Sequence, residues 1–441
     1  MTSHRIQNFD LLATNASRLD ALSIAEAGYA AVDTGAALWR TLRVEHDELH
    51  IQDATYRLKG RRVFFVGVGK CAFAAAGAIE TLLGDSLEGG IAFDVSSAGR
   101  HDFTKIETHI GTHPLPSEVN ERATKRIIEF LSDRKENDLV IMLISGGGST
   151  LLCLHEAPMT CTDESGLFSE LTAKGASIQD INTVRKHLSH ARGGALAAAA
   201  YPAEVVSLIV SDVPGNDIEY IASGPTILDS STVADAKAIL ARYGIASSEG
   251  INFIETPKEQ KYFERVTNIL FLSNRDALSA MRDEAVQRGY EAEIVDDRLT
   301  GEAGDLGRAL VEKLHGARAK TALLYAGEST VTLGASPGAG PSIPLGAGGR
   351  NQEMALAALQ DIHGDELILP FASDGHDNTD HAGAIGDGVT LAHARAQKLS
   401  IEEYLDSHRA YDFFSATGDA LMTGYTGSNV SDLIIAIKND V

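Results

Sequence analysis

Near-continuous apolar runs that end in glycine-rich or acidic loops constrain this chain more than any other feature. Asp138-Leu-Val-Ile-Met-Leu-Ile144 runs directly into Ser145-Gly-Gly-Gly-Ser149. Runs of Val, Ile and Leu at that length fit strands buried on both faces, as in a parallel sheet covered by helices. Arg62–Gly67, Ile91–Ser96 and Glu204–Ser211 read the same way. Helices are expected over Lys70–Leu83, Pro116–Arg134, Ile178–Ala200 and Ser230–Tyr243, and a further one over residues 17–48. The pattern predicts an α/β fold with a mostly parallel sheet between helical layers.

Gly244–Gln260 is polar, carries Gly, Ser and Pro, and has no clear period, so it reads as a linker. Alternation resumes with a strand at Ile269–Ser273, a helix at Arg275–Gly289, a strand at Tyr290–Val295 and a helix at Gly304–His315. Strands recur at Thr321–Tyr325, Leu367–Phe371 and Leu433–Ile437. Two domains are therefore expected, residues 1–245 and 262–441. Gly334–Gly349 forms a long Gly/Ala/Pro/Ser loop between charged motifs, a length that marks a functional segment.

Bulk properties exclude several function classes. A formal charge of −23 over 441 residues leaves no basic footprint for nucleic acid or an anionic membrane. An anionic substrate would need local cations, for which Lys70, Arg185, Lys186, Arg192 and Arg350 are available. Three cysteines, with no Cys-x-x-Cys pair, do not make a disulfide framework and suggest a reducing cytoplasm. Met1–Leu12 lacks the order of a signal peptide, and no stretch approaches a membrane span of ~18 apolar residues.

The loops after the strands carry the chemistry. Three successive glycines in Ser145, Gly146, Gly147, Gly148 and Ser149 exceed what a turn requires; their backbone N–H groups could cradle an anion. Gly67-Val-Gly-Lys-Cys-Ala72 places Lys70 at a helix start, suited to a phosphoryl oxygen. The same segment matches a dinucleotide fingerprint, with Asp94 following at the next strand, and makes a nicotinamide dehydrogenase the rival reading. On the expected helix after Asn182, that residue shares a face with Lys186 and Ser189, and Arg185 and Arg192 flank it; a solvated basic face weighs equally. Asp212 ends an apolar strand and could hold Mg²⁺ or take a hydroxyl proton, while Asp217 and Asp229 are weaker candidates. Glu328 follows Thr321–Tyr325, Arg350 opens an Ala/Leu-rich helix where the dipole favours anions, and Asp374 repeats the strand-then-acid pattern. Asn429 lies in a loop of small residues before the last strand.

In their order along the chain, Thr112-His-Pro-Leu-Pro116, Ser145–Ser149, Asn182–Gly194, Ser211–Gly215 with Ala222–Thr226, Gly349–Glu353 and Met422–Asn429 resemble the type II glycerate kinase family, whose C-terminal part carries the MOFRL motif. The resemblance implies two α/β domains, the first Rossmann-like, with the site in the cleft between them. It also implies ATP-dependent phosphorylation of D-glycerate at the 2-hydroxyl, with Mg²⁺. The family's active-site lysine falls on Lys70, its two acids on Asp212 and Asp374, its Gly-Glu acid on Glu328, its arginine on Arg350 and its last-loop asparagine on Asn429. Ala372-Ser-Asp-Gly-His-Asp-Asn378 departs from the usual Gly-Thr-Asp-Gly-Ile-Asp-Gly. A hydroxypyruvate reductase, a kinase of a related hydroxy acid and a non-catalytic sensor stand as alternatives, and a homo-oligomer is left open.

Overall fold

The computed structural model describes residues 4–100, 102–213, 215–245, 251–332 and 347–440. Most of the Gly334–Gly349 loop, five residues of the expected linker and Pro214 lie outside the described residues. The chain divides into two compact units. The first comprises Thr34–Asp212 and Asn216–Leu272; the second comprises Met1–Asp33, Val213–Gly215 and Ser273–Val441.

Among the described residues, the first unit holds a six-stranded sheet in the order Ile106–Ile110, Leu87–Asp94, Val63–Val68, Leu139–Ile144, Glu204–Val210 and Val266–Leu272. Every neighbouring pair is parallel. In chain order this is 3-2-1-4-5-6, the doubly wound arrangement. The two central strands are buried throughout, which is why their sequences are apolar without alternation. After Val63–Val68 the chain lays two strands on one side, then crosses to the other with Leu139–Ile144, so the order reverses between these two strands. Ligands of such sheets bind at that reversal, beyond the carboxyl ends of the strands.

The second unit carries a seven-stranded mixed sheet. Glu291–Glu302 pairs parallel with Thr321–Thr330, and Asp432–Lys438 runs antiparallel between Thr321–Thr330 and Glu366–Ala372. Its core gathers Leu310, Val311, Leu323, Met354, Phe413, Phe414 and Ile434, all at most 4% exposed.

Three departures from the sequence expectations have physical causes. The strand expected to open the second domain is Val266–Leu272, and it forms the edge of the first sheet, with Val205 opposite Val266. The helix expected over residues 17–48 breaks into Ala16–Val32 and Thr34–Thr41, then gives way to an antiparallel sheet of Leu42–Glu45, Glu48–Ile51 and Ala54–Arg57. His46 and Asp47 take φ of 49° and 68°, a hairpin turn that faces the alternating Leu49 and Ile51 into the core. The helix expected over Ile178–Ala200 stops at Lys186 and restarts at Ala195, because Gly193 and Gly194 are left-handed, with φ of 55° and 87°.

The N-terminal helix Ala16–Val32, expected in the first domain, belongs to the second unit. Arg18, 1% exposed, donates from Nε to Asp387 at 2.7 Å and from Nη1 to Asp419 at 2.8 Å. Gly28 lets the helix close onto Met281: a Cβ there would meet the methionine side chain at 2.9 Å.

Candidate active site

In the first unit the loops after Val63–Val68 and Leu139–Ile144 are laced together. Ser145 N–H donates to Val68 O at 2.9 Å, Lys70 N–H to Gly146 O at 3.0 Å, and Cys71 N–H to Ser145 Oγ at 3.1 Å. Gly69 permits this approach: its φ is +111°, and a Cβ would stand 2.3 Å from Ser145 Oγ. Gly147, at φ +82°, has the Lys70 side chain beside it, since a Cβ there would lie 3.5 Å from Lys70 Cγ. Gly148 packs on Ala222. Lys70 and the Ser145–Ser149 backbone thus flank the point where strand order reverses, and Asp212, half-buried, follows the adjacent strand Glu204–Val210.

A hydroxyl–amide chain extends this arrangement. Ser149 Oγ and Ser223 Oγ are 2.9 Å apart, and Ser223 Oγ donates to Asn182 Oδ1 at 2.9 Å. Ser223 and Ala222 hold left-handed φ of 59° and 50°, a strained turn that sets this hydroxyl. Ser223 was within a quoted motif but had no assigned role; its signal, an unusual backbone, is invisible in sequence.

The basic block after Asn182 divides. Lys186 Nζ donates to the buried Asp229 carboxylate at 3.1 Å. The Arg185 guanidinium stacks 4.2 Å from the Phe168 ring, and burial, reinforced by Arg192, lowers its pKa to about 10. Arg192 pairs with Glu164 at 2.8 Å. Ser189 lies beyond the helix end, donating to Leu152 O at 2.8 Å and accepting from Leu154 N–H at 3.0 Å. Of the five residues expected together, only Asn182 joins the Ser149 chain.

In the second unit Arg350 is the organising group. Its Nη1 donates to Glu328 Oε1 at 2.6 Å, and its Nε and Nη2 both reach Asp432. Burial opposes its charge, but Asp432 and Glu328 outweigh that cost and hold the pKa above its ordinary value. The strand register explains the meeting, since Asp432 pairs across to Ala372 on one side and Gly327 on the other. Glu328 lies inside a strand that continues to Thr330, not in a turn after Tyr325.

Asp377 caps the helix Arg350–Ala358, accepting from Asn351 N–H at 3.1 Å and Gln352 N–H at 2.8 Å. Burial, then the Asp432 charge, raises it to about 6 against these donors. Asp374 sits on a loop interlocked with the one bearing Asn429. His376 N–H donates to Asp374 Oδ1 at 3.0 Å, Thr426 N–H to Asp374 O at 3.1 Å, and Val430 N–H to Ser373 Oγ at 2.8 Å. Gly375 is needed there, because a Cβ would meet Gly424 O at 2.0 Å. Sequence reasoning gave Asp432 no role and Asp377 none beyond its motif; an acid at the start of an apolar run reads as a strand boundary.

The dinucleotide reading fares differently. The Asp94 carboxylate, 1% exposed, accepts from the N–H groups of Phe73 at 3.1 Å, Val95 at 2.7 Å and Ser96 at 3.2 Å. It ties a helix start to the next strand instead of facing a ribose.

Comparison with known proteins places the chain in a family. The model of a domain of unknown function, DUF4147, matches residues 20–253, and that of the MOFRL family matches residues 321–432. The D-glycerate 2-kinase of Thermotoga maritima is 34% identical over 397 residues, covering 88% of this chain and 93% of the relative. The glycerate 2-kinase of Pyrococcus horikoshii is 36% identical, covering 92% and 94%. An Agrobacterium vitis protein provisionally named hydroxypyruvate reductase is 38% identical, covering 86% and 87%. A crystal structure of glycerate kinase from Thermotoga maritima aligns with a TM-score of 0.81 at 33% identity, over 95% of this chain and 99% of its own. The chain belongs to the glycerate 2-kinase family, with a DUF4147 region followed by a MOFRL region.

Proposed function

We propose that the protein transfers the γ-phosphoryl group of ATP to the 2-hydroxyl of D-glycerate, giving 2-phosphoglycerate and ADP. The observation that carries the reading is the cradle at the strand-order reversal, where Lys70 stands beside the glycine backbone of Ser145–Ser149. Phosphoryl transfer needs alignment and charge neutralisation more than covalent chemistry, and an ammonium beside backbone donors supplies both. Arg350 would neutralise a carboxylate or phosphoryl oxygen, with Glu328 and Asp432 fixing its plane. The substrate hydroxyl oxygen attacks phosphorus, its proton passes to Asp212 or Asp374, and ADP leaves. Asn182 through Ser223 and Ser149, and Asn429, would orient substrate oxygens.

Carboxylate oxygens are the donors Mg²⁺ takes, and either Asp212 or Asp374 would hold it. The ion would supply neutralisation of phosphate charge. Among the described residues no helix is long and apolar enough to cross a membrane. An acidic surface and three free cysteines suit a reducing cytoplasm.

The test is ADP release from Mg-ATP with D-glycerate, with the phosphate position read by phosphorus NMR. A 2-phosphoglycerate resonance supports the reading. ADP release only with another hydroxy acid would move the acceptor, and nicotinamide oxidation with hydroxypyruvate but no ADP would overturn it.

A further inference from the structure

Outside the cradle, the first unit buries a second set of reactive side chains that the kinase reading does not use. Cys153 and Cys161 are both buried, with Sγ atoms 3.6 Å apart. Donor atoms of Glu121, His155 and Cys161 all lie within 4.8 Å of one another. The His155 ring is fully buried, and its Nε2 is engaged by the Glu164 carboxylate. Its Nδ1 is buried with no well-formed hydrogen bond, and the Cys161 thiol is a side chain in contact with the ring. A buried imidazole nitrogen without a well-formed hydrogen bond is costly, and a metal ion would relieve that cost. Glu164 is itself fixed by Arg192 at 2.8 Å, so the histidine is oriented by a carboxylate held by a guanidinium. That is the outer shell a ligating histidine ordinarily has.

We propose that Glu121, His155 and Cys161 bind a zinc-class divalent ion, leaving the fourth position to water. Thiolate, imidazole and carboxylate together select zinc or cobalt over magnesium or calcium. A pocket of about 540 Å³, lined by Glu118, Glu121, Arg122, Lys125, His155 and His190 among others, gives the ion an entry path. Glu121 belongs to the helix Glu118–Ser132, Cys153 and His155 to the segment just after Ser149, and Cys161 opens the helix Cys161–Ala173. The ion would clip these three segments together immediately downstream of the glycine cradle, and does not depend on the identity of the acceptor.

The test uses the full chain, stripped with a chelator under reducing conditions and reloaded with Zn²⁺ or Co²⁺ alone. One equivalent of metal, a thiolate-to-cobalt charge-transfer band, and a melting temperature raised by Zn²⁺ are expected. Cys161→Ser should abolish the band, and Glu121→Gln, on a partly exposed helix face, should weaken binding at least tenfold while the circular dichroism spectrum is unchanged. The proposal is overturned by any of three results: no stoichiometric binding by the wild type, a cobalt spectrum without the thiolate band, or unaltered affinity in folded Glu121→Gln. A Cys153–Cys161 disulfide found by mass spectrometry in metal-treated, reduced protein would also overturn it.

Discussion

Arg350 donates to Glu328 across 2.6 Å while the other edge of its guanidinium holds Asp432 at the start of the central antiparallel strand. The pair orients a cation that would otherwise swing, and it makes Arg350 a stabilising residue as well as a candidate for substrate charge. These two roles can be separated.

Arg350→Ala strands Asp432, 3% exposed, without its partner. Breaking such a pair costs about 3 kcal/mol, the low end of the usual range because Arg350 keeps 32% side-chain exposure. The double variant Arg350→Ala/Asp432→Asn should recover most of that loss in a urea melt. Its kcat/KM should stay down at least a hundredfold; recovered turnover would reduce Arg350 to a structural role.

Gly69→Ala should displace the Ser145 loop, since the added methyl would lie 2.3 Å from Ser145 Oγ and 2.5 Å from Ser145 O. Gly60→Ala is the control: its φ is also positive, at +75°, but a Cβ there meets nothing within 4 Å. The control should cost about 1 kcal/mol and leave kinetics alone. Gly69→Ala should cut kcat/KM more than tenfold, and equal kinetics in the two variants would show that the cradle tolerates movement.

Asp94→Asn removes charge from a carboxylate that accepts three backbone N–H groups. A loss of about 1–3 kcal/mol is expected from calorimetry, with no change in nicotinamide binding, which should be absent in both proteins. Saturable NADH binding by the wild type, lost in Asp94→Asn, would revive the dehydrogenase reading.

Asp377 gives the fold a pH dependence of defined sign. Its native pKa is raised from an ordinary 3.8 to about 6, chiefly by burial. Between those values the native state holds a proton that the unfolded chain has released, so this group's contribution falls as pH rises through about 6. Melting temperatures of wild type and Asp377→Asn, measured from pH 4 to pH 7, should therefore differ in slope, the variant lacking this decline. Parallel profiles would mean that Asp377 is ionised throughout.

Legibility in the sequence followed the range of the forces involved. Leu139–Ile144 and Glu204–Val210 were readable because strands buried on both faces must be apolar at nearly every position. The Ser145–Ser149 loop was readable because close backbone approach leaves only glycine. Thr321–Thr330 ran five residues past its expected end because its partner carries the pairing on, with Thr300 opposite Glu328. Lys186 and Asp229, or Arg350 and Asp432, meet only through the tertiary fold, 43 and 82 residues apart. No local periodicity encodes such pairs, and the basic stretch after Asn182 therefore looked more uniform than its burial makes it.

Because Met1–Asp33 joins Ser273–Val441 in one unit, a stretch made early belongs to a body that cannot be completed until residues beyond 272 are made. Arg18 has to wait for Asp387 and Asp419, some 370 and 400 residues later, before its charge is met. Thr34–Leu272 can meanwhile close its parallel sheet from nearby segments, as domains generally do during synthesis. The nascent protein thus carries a helix whose one arginine is unmatched beside a finished body, and a chain stopped near residue 272 would keep that helix exposed to whatever holdase or protease reaches it first.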